Sequence, residues 1–229
     1  MPQTKTLRSY GDACRTAHAL DLIGDRWALL VVRELVLGPK RFTDLAAGLP
    51  RATPDMLSKR LSELEREGVV RRRKLGPPSG ASIYELTEWG ARLGPVLTYL
   101  ARWAGSSPSP PRDPAFLSPD ALVLALFAHF DAERAEGIEL HAALQLGEQR
   151  FHVEVADGHL EIAREDVTVA EATIEADPLA LSEVLWGGGS IAAARKAGDI
   201  RIEGDEPSAR RLLSLFPDEI AFEPAGAPG

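Results

Sequence analysis

Apolar residues in the first hundred positions recur every three or four residues, the spacing of helices that bury one face. Glycine and proline divide this stretch into four helical segments, which end at Gly24, Gly38, Pro50 and Gly68. We expect Asp25 to cap the second of these helices, because an aspartate side chain can accept the hydrogen bonds of free backbone amides. The pattern therefore predicts four short helices in succession.

The fourth segment has the clearest start signal. Thr53 is a suitable N-cap, and Pro54 occupies the first helical position, where its missing N–H group would have no partner in any case. Leu57, Leu61 and Leu64 follow at helical spacing and form the expected buried stripe. The remaining side chains of this helix are predicted to face outward.

The spacing changes beyond the fourth helix to that of a β-hairpin. Two strand-like segments, 69–75 and 83–86, flank a glycine- and proline-rich turn at 76–80, and a long helix begins after Thr87. Short helices joined by a tight turn and followed by a β-hairpin are typical of a winged helix-turn-helix. We predict a mainly α domain of this class.

The second half of the chain mixes helices with strands. Ser118-Pro119 begins a helix that we expect to end at Gly137, and Asp157-Gly158 has the composition of a two-residue hairpin turn. This arrangement indicates an α+β domain with an antiparallel sheet. The expected strands lie around 138–146, 151–155, 160–162, 174 and 199–203.

A proline- and serine-rich segment separates the two halves. Residues 104–114 contain four prolines, three serines and a glycine, which excludes a helix and favours an extended linker. The predicted organisation has two domains with a linker and a tail. Their bounds are 1–104 for the winged helix-turn-helix, 105–115 for the linker, 116–217 for the α+β domain and 218–229 for a flexible tail.

The charge changes sign at the same place. Residues 1–112 contain 18 Lys/Arg and 11 Asp/Glu, a net charge of +7, whereas residues 113–229 contain 8 and 23, a net charge of −15. A basic half can meet a polyanion that the acidic half would repel. No apolar run is long enough for a membrane span, and the polar N-terminus has no signal core, so we expect a cytoplasmic protein.

Double-stranded DNA is the expected partner of the basic half. The outward side of the fourth helix carries hydroxyls and cations, which can reach base edges and phosphates in a major groove, and the first wing strand carries a basic run that suits phosphates. Glu63, Glu65 and Glu67 would repel phosphates if they faced the DNA. The candidate DNA contacts are Arg51, Thr53, Ser58, Lys59, Ser62, Arg66, Arg71, Arg73 and Lys74.

A family resemblance covers about residues 10–104. It is carried by Cys14, Leu22-Ile-Gly-Asp-Arg-Trp27, Arg41-Phe-Thr-Asp-Leu45, Leu57-Ser-Lys-Arg-Leu61, Gly68-Val-Val-Arg-Arg72, Tyr84-Glu-Leu-Thr87 and Gly90. With these motifs the sequence resembles the HxlR-type regulators, winged-helix relatives of the MarR group, although Gly24-Asp25 departs from their usual Gly-Gly or Gly-Lys pair. The resemblance implies a DNA-binding homodimer, joined through its first and last helices, that represses or activates nearby genes.

The single cysteine, Cys14, cannot form an internal disulfide. Many relatives carry a cysteine at this place, and some of them sense oxidants or electrophiles through it. Lowering of the thiol pKa would favour such a role here, and Arg15 and His18 are near in sequence. We expect a small buried packing residue, with redox sensing as the alternative.

A second resemblance is carried by Asp157-Gly-His-Leu160, Ala172-Thr-Ile-Glu-Ala-Asp177, Trp186-Gly-Gly188 and Lys196-Ala-Gly-Asp-Ile-Arg-Ile-Glu-Gly-Asp205. With these segments the second half resembles the sterol carrier protein domain over about residues 118–217. That resemblance implies a tunnel for lipids or other apolar molecules, and hence an apolar small-molecule effector. Each candidate tunnel residue could equally be plain core. The effector candidates are Phe127, Phe130, Leu144, Phe151, Trp186 and Phe216.

Motifs of catalysis are missing from the sequence. It contains no phosphate-binding loop, no zinc-spaced Cys/His set and no nucleophile elbow, so we expect neither an enzyme nor a cofactor or metal. His141, His152 and His159 could be neighbours on hairpin strands, but surface placement is the preferred interpretation. The prediction is a ligand-responsive regulator. The alternative is a carrier of lipids or other apolar ligands whose winged helix mediates protein contacts.

Overall fold

A computed structural model describes residues 9–76, 80–108, 115–165 and 170–217. The chain forms two compact units, Met1–Gly94 and Pro95–Gly229. Residues 109–114 of the predicted linker and the whole predicted tail, 218–229, lie outside the described residues. Among the described helices, none has the length and apolar character needed to cross a membrane.

The first unit has the predicted order of helices and hairpin. Its sheet is antiparallel with the strand order β1-β3-β2. The elements are α1 (Arg15–Ile23), α2 (Ala28–Leu35), β1 (Lys40–Arg41), α3 (Phe42–Gly48), α4 (Pro54–Arg66), β2 (Val70–Lys74), β3 (Ser82–Leu86), α5 (Glu88–Ala91) and α6 (Leu93–Gly105), which continues into the second unit.

Two features of this unit differ from the prediction. The two-residue strand β1 adds a third strand to the hairpin and was not predicted, because so short a segment has no periodicity to recognise. The single long helix expected after Thr87 is divided into α5 and α6. Pro95 is tolerated only in the first turn of a helix, and the restart at Leu93 places it there.

The start of α2 also differs from the prediction. Asp25 does not cap this helix; its carboxylate accepts a hydrogen bond from Arg60 Nη1 of α4 at 2.8 Å. Trp27 takes the N-cap position with a left-handed backbone, φ 77°. A long-range ion pair has therefore replaced the local hydrogen bond that the sequence suggested.

The second unit contains a five-stranded sheet with the order β6-β5-β4-β7-β8. The prediction of an antiparallel sheet was wrong for one pair, because β7 runs parallel to β4. Alternating apolar residues give no information on strand direction, so the pattern could not detect this. The elements are α7 (Pro119–His129), β4 (Leu140–Leu146), β5 (Gln149–Ala156), β6 (His159–Ala163), β7 (Ala172–Ala176), α8 (Pro178–Trp186), α9 (Ile191–Ala197), β8 (Ile200–Gly204) and α10 (Glu206–Leu213).

Helix α7 ends earlier than predicted, at His129 instead of Gly137. The Asp131 carboxylate accepts hydrogen bonds from the backbone amides of Glu133 and Arg134, a local turn that competes with a helix. The Asp157-Gly158 turn is confirmed, since both residues have the positive φ, 51° and 72°, that a two-residue hairpin turn requires.

One face of the sheet is buried and the other is partly exposed. Helix α10 packs against β4, β7 and β8, and the side chains of even-numbered positions in β4 lie in the core with Phe151, Val153 and Val155 of β5. The opposite face carries polar side chains, among them His141, His152 and Glu154.

Candidate nucleic-acid interface

Helix α4 presents one apolar and one polar side, as predicted. The Thr53 hydroxyl accepts a hydrogen bond from the Met56 amide at 3.3 Å, which confirms the N-cap. Leu57, Leu61 and Leu64 are at most 1% exposed and anchor the helix in the core of the first unit. The other side of the helix therefore faces away from that core.

The predicted DNA contacts are all exposed within the first unit. Two hydroxyls already have local partners: Thr53 acts as the cap, and the Ser62 hydroxyl donates to the Ser58 carbonyl at 3.0 Å. The exposed set is Arg51, Thr53, Ser58, Lys59, Ser62 and Arg66 on or beside α4, with Arg71, Arg73 and Lys74 on β2.

Two of the three glutamates at the end of α4 form local ion pairs, whereas Glu65 is exposed. Glu63 Oε2 lies 2.7 Å from Arg60 Nη1, and Glu63 Oε1 lies 4.0 Å from Lys59 Nζ. Glu67 accepts a hydrogen bond from Arg66 at 2.9 Å. These contacts offset the charges that would otherwise repel phosphates. Lys59 keeps 59% of its side chain exposed, so it remains available to an anion.

Glu85, which sequence analysis missed, binds two arginines of the wing, the hairpin formed by β2 and β3. Arg71 Nε and Arg73 Nε donate to the same Glu85 oxygen at 2.8 and 3.1 Å. The Arg73 hydrogen bond, with a smaller contribution from Arg71, holds the pKa of Glu85 below its usual range. Because Glu85 is largely buried, it fixes both guanidinium groups at the surface of the hairpin.

The other side of the wing carries a cation that was not among the candidates. Arg72 lies opposite Tyr84, with its guanidinium 5.8 Å from the ring centroid, and it donates to the Ser82 hydroxyl at 3.1 Å. Lys74 is exposed and forms no ion pair with any described residue. The alternation of side chains along β2 was the available signal for Arg72.

Comparison with known proteins assigns the first half of the chain to a protein family. The profile of the HxlR-like helix-turn-helix family matches residues 22–110. The HTH-type transcriptional regulator YvaP of Bacillus subtilis is 39% identical over 90 residues, which cover 39% of this chain and 83% of YvaP. The chain belongs to the HxlR-like helix-turn-helix family.

A second relative agrees with this assignment. The HTH-type transcriptional regulator YodB of Bacillus subtilis is 38% identical over 86 residues, covering 38% of this chain and 77% of YodB. A solved structure of reduced YodB covers 44% of this HxlR-like chain and 100% of its own length, at 34% identity and a TM-score of 0.40. Both named relatives are transcriptional regulators, which are not enzymes.

The second half matches a different profile, the alkyl sulfatase C-terminal family, over residues 109–220. This family belongs to alkyl sulfatases, and the sterol-carrier resemblance of the second half stays a prediction. The family assignment of this HxlR-like protein therefore concerns its first half.

Cys14 of this HxlR-like chain is exposed, so the expectation of a buried packing residue was wrong. It holds the N-cap position of α1, where the Ala17 and then the Thr16 backbone hydrogen bonds lower the pKa of its thiol. These hydrogen bonds, together with one from the Thr16 side chain, lower the thiol pKa, and the neighbouring Arg15 and His18 are not among the causes.

The six effector candidates lie in the second unit at two levels of burial. Leu144, Phe151 and Phe216 are buried, with Phe216 6.2 Å from the Phe130 ring, centroid to centroid. Phe127, Phe130 and Trp186 are only partly buried. An open cavity of about 410 Å³ in this unit is lined instead by Ala132, Glu133, Glu136, Asp157, Gly158 and His159.

Proposed function

We propose that this protein is a sequence-specific DNA-binding transcriptional regulator that inserts α4 into a major groove. The observation that carries the proposal is the division of α4 into a leucine stripe buried in the core and an exposed side with Ser58, Lys59 and Ser62. Hydroxyls and cations on one helix face can bond to base edges and to the flanking phosphates. The family assignment supports the same function.

The wing supplies contacts that do not depend on base sequence. Glu85 holds Arg71 and Arg73 in place, and Lys74 extends the positive charge along β2. Such cations add affinity by releasing counterions from DNA, so binding is expected to weaken steeply as salt rises.

A homodimer is the form in which we propose that the protein binds. Within the described residues, no side chain of α1 is buried, and Leu20 on this helix is 46% exposed. Helix α6 exposes Val96, Tyr99, Leu100 and Trp103 at helical spacing. Apolar rows of this kind mark interaction surfaces, and a symmetric dimer would place two copies of α4 in successive major grooves, about 34–36 Å apart.

A mobility-shift assay on the DNA upstream of the protein's own gene tests the function. We expect the full-length chain to bind this DNA more tightly than unrelated DNA, and Lys59→Ala to weaken binding about tenfold. Lys196→Ala is the matched control, since Lys196 is an exposed lysine on α9 of the second unit. Equal binding to both DNAs, or unchanged binding by Lys59→Ala, would contradict the proposal.

The second unit is proposed to bind an apolar small molecule that controls the regulator. Phe127 and Phe130 are only partly buried, and the Trp186 indole N–H lies buried with no hydrogen-bond partner among the described residues. The Trp186 ring lies 4.5 Å from the His129 ring, centroid to centroid, and small-molecule pockets combine apolar side chains with a few polar groups of this kind. Mass spectrometry of gently purified protein should detect a bound apolar compound. If no such compound is found at any protein concentration, a purely structural role of the second unit is favoured.

Thiol reactivity of Cys14 is a further part of the proposed function. The thiol is exposed, and its lowered pKa increases the thiolate fraction that reacts with oxidants and electrophiles. Because Cys14 begins α1, a modification there would act next to a helix proposed for the dimer.

A further inference from the structure

Two histidines and a glutamate meet on the exposed face of the five-stranded sheet. His141 lies on β4, and His152 and Glu154 lie on β5. Their ligand atoms are all within 4.8 Å of one another. We propose that these three side chains form a binding site for one divalent transition-metal ion of the Zn²⁺ class.

The strand register brings the three residues together. His141 is directly opposite Glu154, and His152, two positions earlier on β5, is the diagonal neighbour of His141. The two imidazole rings are stacked 5.8 Å apart with an interplanar angle of 7°. His152 is flanked across the sheet by Ala143 and Ala163, whose small side chains leave space beside the ring. Because the strands fix the backbone positions, only the side chains would need to rearrange to bind an ion.

The separation of donor atoms suits an intervening metal better than a direct hydrogen bond. His141 Nδ1 lies 4.0 Å from Glu154 Oε2, well beyond the usual hydrogen-bond distance. Tetrahedral Zn²⁺ bonded to nitrogen and to carboxylate oxygen at about 2.0–2.2 Å each holds its donor atoms roughly 3.3–3.6 Å apart, so the donor atoms must move together by less than about 1.5 Å to bind an ion. The exposed side chain of His141 can adjust to shorten the wider separations.

The types of donor select the class of metal. Two imidazoles and one carboxylate are typical ligands of Zn²⁺ and of its first-row neighbours Co²⁺, Ni²⁺ and Cu²⁺, whereas Mg²⁺ and Ca²⁺ prefer oxygen ligands alone. Three protein ligands leave at least one coordination position for water. The proposed site is therefore an open one on the surface of the sheet.

Two further carboxylates support the site. Glu165 Oε1 lies 3.3 Å from His152 Nδ1. A carboxylate bonded to one nitrogen of an imidazole orients the ring, so that the other nitrogen, here Nε2, can bind the ion. Glu161 is directly opposite Glu154 on β6 and adds negative charge to the same face. His159, by contrast, pairs with Ala156 and does not belong to the group.

Metal titration of the untagged full-length protein tests the proposal. After treatment with a chelator, calorimetric titration with ZnCl₂ should show one bound equivalent, and CoCl₂ should give the visible absorption bands of Co²⁺ with nitrogen and oxygen ligands. His141→Ala, His152→Ala and Glu154→Gln should each raise the Kd at least about tenfold, and Glu165→Gln should raise it by roughly tenfold. The matched control is His159→Ala, an exposed histidine of the same sheet, and its Kd should be unchanged.

The outcomes separate a metal site from an ordinary surface. Absence of Zn²⁺ binding by the wild-type protein would overturn the proposal. So would a Kd equal to that of the wild type in both His141→Ala and His152→Ala. If His159→Ala raised the Kd as much as His141→Ala does, the proposal would also be overturned, because Zn²⁺ would then bind unspecifically to surface histidines. Circular dichroism of each variant checks folding, which these side chains outside the core should not disturb. The result is independent of whether the protein binds DNA.

Discussion

The Lys40 ammonium donates a hydrogen bond to Glu34 Oε2 at 2.7 Å, and both residues are buried in the first unit. Arg33 Nη2 donates to the other Glu34 oxygen at 2.9 Å. The backbone of α3 also approaches this carboxylate closely, since a Cβ added to Gly48 would collide with the Glu34 side chain. The Glu34–Lys40 pair thus connects α2 to β1 next to α3.

Removal of the lysine partner should destabilise the first unit. Lys40→Met leaves Glu34 buried without the ammonium group of its lysine partner, and we expect a loss of about 3 kcal/mol in the free energy of unfolding. Urea unfolding measures the change, and hydrogen exchange of the α2 amides localises it. Lys59→Met is the control, because Lys59 is exposed and its ion pair is long, so the expected loss is below about 1 kcal/mol. Equal losses in the two variants would contradict the role of the buried pair.

The wing should lose stability in acid through Glu85. The folded-state pKa of Glu85 is lowered, so the carboxylate stabilises the fold above its unfolded pKa of about 4.3, and this contribution disappears as the pH falls through the folded value. Glu85→Gln should therefore be less stable than wild type at neutral pH, with a difference that shrinks below about pH 4. Unfolding measured along a pH series tests this.

The control for Glu85 is another glutamate close by in sequence. Glu88 has 94% of its side chain exposed, and Glu88→Gln should change stability little at any pH. A difference between wild type and Glu85→Gln that stays constant from neutral to acid pH would show that ionisation of Glu85 does not stabilise the wing.

Charge on the exposed side of α6 should disrupt the proposed homodimer. Trp103 is 61% exposed and Tyr99 55%, and a glutamate at either position would place a charge in an apolar contact. We expect Tyr99→Glu and Trp103→Glu to be monomeric in sedimentation and to bind DNA more weakly, since one copy offers only one α4. Phe116→Glu, at a residue 50% exposed outside α6, should remain dimeric. A wild-type protein that is monomeric at all concentrations would refute the proposed dimer.

Cys14 should react faster than an ordinary thiol near neutral pH. Its pKa is lowered, so a larger fraction is thiolate, and alkylation by iodoacetamide should outpace that of a free cysteine at the same pH. We expect the alkylated protein to bind its upstream DNA with altered affinity, whereas Cys14→Ser treated in the same way should not change. Identical affinity before and after complete alkylation would end the redox proposal.

Several elements could be predicted because their signals are local. Thr53 and Pro54 mark the start of α4, and three leucines at helical spacing identify its buried stripe. Asp157-Gly158 specifies its own turn. By contrast, hydrophobic periodicity does not reveal where a helix is interrupted. The early end of α7 depends on the local hydrogen bonds of Asp131, and the division between α5 and α6 depends on Pro95.

By itself, the sequence determined the order of the helices, the wing and the exposed polar side of α4, because helical and strand periodicity record which side chains face the core. Only the tertiary structure decided which distant residues meet. The pairing of Asp25 with Arg60, the hydrogen bonds of two arginines to Glu85, and the approach of Glu154 to His141 are of this kind. Each depends on strand register or on packing between elements, and no spacing along the chain encodes either.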